Sequence, residues 1–219
     1  TKNIMKEVNL LKSIPPKKRK ILSRKNSKNA KTIKIANKFG KEYFDGKRIY
    51  GYGGYHYSDR WKSVVKSFIK YYHLKNGDKV LDVGCAKGFL VKDFFDQKID
   101  AYGIDISQYA IKNAHRKIKS RVFVSNAIKL PFPDNYFKLV ISINTLHNFK
   151  KADCAKAIKE IMRVSYKSTY IQVDAYNNIE EKKKFQDWVL TAKFHTYCYR
   201  WRKFFKDIKY KGEFYWTFA

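Results

Sequence analysis

Lys79-Val80-Leu81-Asp82-Val83-Gly84-Cys85-Ala86-Lys87-Gly88-Phe89-Leu90 is the stretch on which the architecture turns. Its first five residues form a short apolar run suited to a strand buried on both faces, and its last residues open a helix reaching Phe95. The glycines between them allow a tight turn whose backbone passes close to a ligand and aims free amides at it. The alternation continues downstream, with strands expected at residues 101–106, 121–125, 137–143 and 169–173 and helices at 108–118 and 153–164. Ser107 suits the N-cap of the first of these helices because its oxygen accepts an orphan amide. Upstream, Trp61, Val64, Val65, Phe68, Ile69 and Tyr72 recur at helical spacing and end at the turn Asn76-Gly77-Asp78. Two further helices, around 180–190 and 201–208, precede a final aromatic strand at 213–218. Strand–helix alternation demands a parallel sheet with helices on both faces, so chemistry is expected just beyond the carboxyl ends of the strands.

Composition narrows the class. At 219 residues, 44% apolar and 17% aromatic, the chain has material for one domain and a modest extension, which excludes two full domains and global disorder. No apolar run approaches the roughly 18 residues that cross a bilayer and no secretory signal is seen, so a soluble protein without a membrane role is expected. Cys85, Cys154 and Cys198 are far apart and outside any C-x-x-C pair, which argues against a disulfide framework or zinc site and for a reducing, cytoplasmic compartment.

The formal charge of +29 invites a nucleic-acid partner, but 39 of the 48 basic residues are lysine, whereas bidentate readout favours arginine. A lysine-rich solvated surface explains the charge equally well. Residues 1–40 hold 13 basic residues and one acid, Glu7, and read as a basic N-terminal extension outside the core. The run Pro15-Pro16-Lys17-Lys18-Arg19-Lys20 within it is either a nuclear-import or polyanion-binding patch or a solvated tail. Residues 41–60, with Tyr50-Gly51-Tyr52-Gly53-Gly54-Tyr55-His56-Tyr57, carry too much glycine for a helix. They read as a lid that either walls a polar ligand site or caps the core with aromatic bulk.

The turn lacks the three glycines of a dinucleotide fingerprint. An acid two residues before Gly84 and a second glycine four residues after it instead resemble the first motif of the class I S-adenosylmethionine-dependent methyltransferases. Asp105 lies 17 residues after Gly88, where the family places a carboxylate on the ribose hydroxyls. Ser125-Asn126-Ala127 stands where the family has an acid-Ala pair touching adenine, and residues 130–140, Leu-Pro-Phe-Pro-Asp-Asn-Tyr-Phe-Lys-Leu-Val, are similar to its run into the fourth strand. The resemblance spans roughly residues 60–175 and implies an α/β, Rossmann-like doubly wound, mostly parallel sheet with helices on both faces and an antiparallel C-terminal strand. It makes residues 61–219 the cofactor-binding methyltransferase domain, with S-adenosyl-L-methionine as cofactor and no metal. The cofactor-binding residues it implies are Asp82, Gly84, Cys85, Ala86, Lys87, Gly88, Asp105, Ile106, Asn126, Ala127 and Ile143.

Within that resemblance Asp82 either places the methionine amino group or is satisfied by turn amides, and Lys87 either meets the methionine carboxylate or points to solvent. Ala86 replaces a middle glycine, and Asn126 replaces an aspartate, the asparagine amide still accepting and also donating. His147, just beyond the fourth strand, is a candidate general base or a histidine bonded to backbone; Tyr52, Tyr55 and His56 are lid candidates. Arg60 either holds a carboxylate or pairs with Asp59. The segment Ile141-Ser142-Ile143-Asn144-Thr145-Leu146 lacks the Asn/Asp-Pro-Pro-aromatic signature of exocyclic-amino methylases, and no cysteine follows a proline there. The expected function is methyl transfer to an O or N of a small polar acceptor, a sugar or other metabolite. The alternatives are an RNA or other macromolecular methyltransferase recruited by residues 1–40, and a non-catalytic cofactor-binding module.

Overall fold

In the computed structural model, which describes residues 5–14 and 19–218, the chain runs β1 (Lys6–Glu7), α1 (Ile21–Ser27), α2 (Ala30–Ala36), α3 (Lys41–Phe44), α4 (Arg60–Tyr72), β2 (Lys79–Val83), α5 (Phe89–Asp96), β3 (Asp100–Asp105), α6 (Gln108–Lys112), β4 (Val122–Val124), β5 (Phe137–Ile143), α7 (Lys151–Val164), β6 (Ser165–Tyr176), α8 (Ile179–Trp188), β7 (Thr196–Tyr197), α9 (Cys198–Asp207) and β8 (Glu213–Thr217). Residues 15–18, most of the basic Pro-Pro-Lys-Lys run, lie outside the described residues.

The strands form one sheet in the order β1-β8-β6-β5-β2-β3-β4, with β7 attached to β6. Residues 80–83 of β2 are buried, as the continuous apolar run requires of a strand covered on both faces. The chain winds from β2 outward to β3 and β4 on one side and to β5 and β6 on the other, so the topological switch lies beside β2. Two apolar layers sandwich the sheet. One is built from α4 and α5 through Val64, Phe68, Leu90 and Phe94. The other is built from α7 and α9 through Ile158, Ile161, Trp201 and Phe205.

Three expectations are corrected. The C-terminal strand β8 is parallel to β6, not antiparallel: Tyr170 pairs with Glu213 and Asp174 with Thr217. α9 lies between the two strands as a crossover, and a helical return brings the chain back to the end where β6 began. The helix expected over 108–118 stops at Lys112, because the Asn113 side chain donates to the Tyr109 carbonyl and a 3-10 turn, Arg116–Arg121, takes over.

The third correction concerns residues 5–14, which are not outside the core. β1 pairs in parallel with β8, Leu10 is 6% exposed within the α4/α5 layer, and the Leu10 amide and Val8 carbonyl meet the Tyr170 hydroxyl. Glu7, the single acid of the first forty residues, accepts from Arg202 and from Trp216 Nε1 at 2.7 and 3.0 Å. Among the described residues no helix is long and apolar enough to cross a membrane.

Candidate active site

The turn after β2 is held by the sheet itself. Gly84 and Cys85 both donate their amides to the Ile104 carbonyl at the end of β3, Ala86 donates to Asp105 Oδ2 at 2.8 Å, and Gly88 donates to Cys85. These amides are therefore spent within the protein rather than aimed at a ligand, unlike the expectation from sequence. Gly84 has φ +87°, and a Cβ there would lie 2.0 Å from Thr145 Oγ1, so only glycine lets the backbone pass this close to the end of β5. Ala86 occupies the left-handed region at φ 51°, a conformation costing a side-chain-bearing residue roughly 1–2 kcal/mol.

Two carboxylates stand over this turn. Asp82 is 6% exposed and makes no side-chain hydrogen bond to a described residue; burial, and then the charge of Asp105, push its carboxyl up to about 8. Asp105 accepts from the Ala86 and Ser107 amides, each at 2.8 Å, and burial raises its pKa as well. A buried acid without a donor suits a ligand ammonium, and a carboxylate with spare lone pairs suits vicinal hydroxyls. With the turn amides occupied and acids in place of free donors, the pocket fits a cationic nucleoside better than the pyrophosphate of a dinucleotide, which needs those amides.

A cavity of about 1470 Å³ opens above the strand ends. Asp82, Gly84, Cys85, Ala86, Asp105, Ile106, Asn126, Ala127 and Ile143 line it; Lys87, Gly88 and His147 do not. Its roof is the aromatic lid. Tyr55 stacks on Phe89 at 5.0 Å between centroids, Phe44 stacks on Tyr52, and the Tyr52 and Gly54 amides donate to Tyr43 and Phe44 of α3. Asp45 is the clasp: it accepts two bonds from Lys87 Nζ at 2.8 and 2.7 Å, one from the Tyr109 hydroxyl at 2.7 Å and one from the Tyr55 amide at 3.1 Å. Burial alone would raise the Asp45 carboxyl, but the bonds from Lys87, Tyr109 and Tyr55 outweigh it and hold the group at about 2.

Residues 81–173 match the family described as "Methyltransferase domain". An uncharacterized protein of Methanocaldococcus jannaschii is 34% identical over 124 residues, covering 57% of this chain and 46% of its own length. A demethylmenaquinone methyltransferase of Symbiobacterium thermophilum is 30% identical over 115 residues, 48% of this chain and 45% of its own. The crystal structure of a SAM-dependent methyltransferase from Archaeoglobus fulgidus shares the fold, with a TM-score of 0.54 and 20% identity over 67% of this chain and 68% of that one. Residues 81–173 are thus similar to a methyltransferase domain, and the fold is shared with a solved S-adenosylmethionine-dependent methyltransferase. It spans about half the length of the curated relatives it matches.

Within this site several of the roles expected from sequence change. Lys87 neither points to solvent nor faces the pocket, because its ammonium is committed to Asp45 and to the Tyr55 carbonyl. Arg60 does not pair with Asp59, which binds Lys62 instead at 3.0 Å; Arg60 lies over the Trp61 ring and lines the cavity with its Nε unpartnered. His147 is buried away from the cavity, its Nδ1 accepting from the Asp174 amide at 3.1 Å and its Nε2 lying 3.3 Å from the Asp174 carboxylate. Its carbonyl accepts from the Lys193 and Phe194 amides, so it pins the loop after α8 to β6. Burial lowers its pKa despite Asp174. Both ring nitrogens are occupied, which removes it as a base.

The lid candidates remain at the cavity. Tyr55 is a wall, its hydroxyl pKa raised by burial, so the phenolate is disfavoured. His56 lines the cavity and makes no hydrogen bond to another described residue. Asn126 accepts from the Ile128 amide at 3.1 Å, which leaves its Nδ2 donors free. Sequence reasoning missed Asp45, Arg48 and Trp188 because each reaches the site from a distant segment carrying no motif, and it named Arg19 only within the basic run 15–20, not as part of this site. The one legible signal was the rarity of arginine in a lysine-rich chain.

Proposed function

We propose that the chain is an S-adenosylmethionine-dependent methyltransferase that methylates an O or N atom of a small polar acceptor. The observation that carries this reading is the paired arrangement of Asp82 without a donor and Asp105 with spare acceptor capacity over a turn whose Gly84 leaves no room for a side chain. Asp82 would take the methionine ammonium, Asp105 the ribose hydroxyls, Asn126 and Ile106 the adenine edge and face, and Arg60 the methionine carboxylate. The bound cofactor supplies an activated methyl group on a sulfonium.

The remaining work falls to the protein: aligning the acceptor, excluding water and accepting a proton. The lid closes the strand ends, and a cavity of about 1470 Å³ exceeds the roughly 300–1,000 Å³ of a single-ligand pocket, leaving room for donor and acceptor together. His56, the imidazole that faces this space, is the candidate to take the acceptor's proton. The enclosed roof and the docking of residues 5–14 onto β8 support a small acceptor over an RNA recruited by a free basic arm.

Calorimetry with S-adenosylhomocysteine tests the reading. Asp105→Ala should weaken binding about a hundredfold or more, since two charge-assisted bonds are lost at about 1.5–3 kcal/mol each. No heat of binding, or an unchanged affinity in that variant, would end it.

A further inference from the structure

One part of the cavity wall has an unusual composition. Of nine arginines in the chain, three converge on one indole: the guanidinium carbons of Arg19, Arg24 and Arg48 lie 5.2, 4.9 and 5.2 Å from the Trp188 ring centroid. They come from two segments, α1 with the residues just before it (Arg19, Arg24) and the lid (Arg48), and meet at the end of α8. Arg121, Arg163 and Arg202 are paired with Asp100, Glu160 and Glu7, but among the described residues no carboxylate forms an ion pair with Arg19, Arg24 or Arg48.

Two of the three have structural partners. Arg24 donates to the Ile49 and Gly51 carbonyls, and Arg48 Nη1 to the Gly51 and Tyr52 carbonyls. Arg19 has none for its buried Nη1, and burial lowers its pKa against an opposing pull from Asp174, with a smaller lowering from Arg48. Asp174 itself faces His147. Three guanidinium groups around one ring, one of them with a buried donor unfilled, favour an anion that completes them.

Arg19, Arg48 and Trp188 all line the cavity, as does Lys193. The acids that line it are Asp82 and Asp105 at the strand ends and Asp153, which is paired with Lys156. Tyr52, whose carbonyl Arg48 holds, is close enough to both Asp105 and Asp174 for their charges to act on its hydroxyl, so the arginine wall and the donor pocket belong to one space. The guanidinium fork matches an oxyanion bidentately, and an indole offers a flat face to a planar group beside it.

We propose that Arg19, Arg48 and Trp188 form the recognition site for the methyl acceptor, and that the acceptor bears an oxyanion, a carboxylate or a phosphate, on its end remote from the methyl donor. This rests on the reading that the strand-end pocket holds the donor. Positive charge at this wall also disfavours a neutral or cationic acceptor, which would leave the guanidinium groups desolvated and unmatched.

The test titrates phenyl phosphate, benzoate and benzyl alcohol into the full chain, with and without S-adenosylhomocysteine, at fixed low salt. At least one anion should bind ten or more times tighter than benzyl alcohol, and the tighter of the two names the group. Arg19→Gln should abolish that preference and Arg19→Lys restore part of it, with S-adenosylhomocysteine affinity unchanged in both. Independently of any variant, phenyl phosphate or benzoate should protect Arg19 from phenylglyoxal several-fold and leave the exposed Arg116 unprotected. Equal affinity for the three probes, a preference that survives Arg19→Gln, or no protection of Arg19 overturns the proposal. An Arg19-dependent anion preference in a chain that ignores S-adenosylhomocysteine would instead overturn the donor-pocket reading and leave the anion site standing.

Discussion

Asp82 shows how one side chain trades stability for binding. Its carboxyl is held at about 8 by burial and by Asp105, whereas in the unfolded chain it titrates near 3.8. Between those values the unfolded state has released a proton that the folded state still holds, so this group's contribution to stability falls as pH rises from about 4 to 8. Asn at this position does not titrate. Asp82→Asn should therefore melt several degrees above the native chain at pH 7, with the difference shrinking toward pH 4, as thermal unfolding at the two pH values would show. The same variant should bind S-adenosylhomocysteine on the order of tenfold more weakly, because a charge-assisted bond to the ammonium becomes a neutral one. A stabilised protein with impaired binding is the signature of a group kept for function.

The lid depends on Asp45 as a unit. Lys87, with its side chain 8% exposed, would be left with only the Tyr55 carbonyl if that carboxylate were lost. Removing one partner of a buried pair costs more than the pair itself contributes. Asp45→Asn should raise hydrogen exchange at the Tyr52 and Gly54 amides on the order of tenfold or more at pH 7, while amides of β2 and β5 keep their protection. The wild-type lid should lose the same protection in acid. Asp45 has its folded pKa lowered to about 2 from 3.8, so its contribution is complete above about pH 4 and disappears as pH falls toward 2. Exchange measured at pH 5 and pH 3 would show this loss in the wild type and not in Asp45→Asn.

For the molecule as a whole, the N-terminal residues are part of the sheet, not an appendage. β1 covers the outer edge of β8, Leu10 enters the α4/α5 layer, and Glu7 meets Arg202 and Trp216. Burial of Leu10 alone contributes about 1.5–3 kcal/mol. Deleting residues 1–14 should lower Tm by roughly 5 °C or more and expose the β8 edge to self-association, observable by thermal unfolding and light scattering. If the segment were a solvated tail, Tm would not move.

What could be read directly from the chain was whatever depends on near neighbours in sequence. β2 and β5 carry their pattern in continuous apolar runs, and the expected bounds for both, residues 79–83 and 137–143, agree with the structure. The Gly84 turn was legible for the same reason, and the end of the next strand placed Asp105, whose role came from the resemblance to the methyltransferase family. The direction of β8, the docking of residues 5–14, the Asp45–Lys87 clasp across 42 residues and the gathering of Arg19, Arg24 and Arg48 around Trp188 were settled by packing. Each joins segments that carry no local mark of one another. Their partners are chosen by which surfaces a folded sheet leaves to be covered and which buried charges it leaves to be matched.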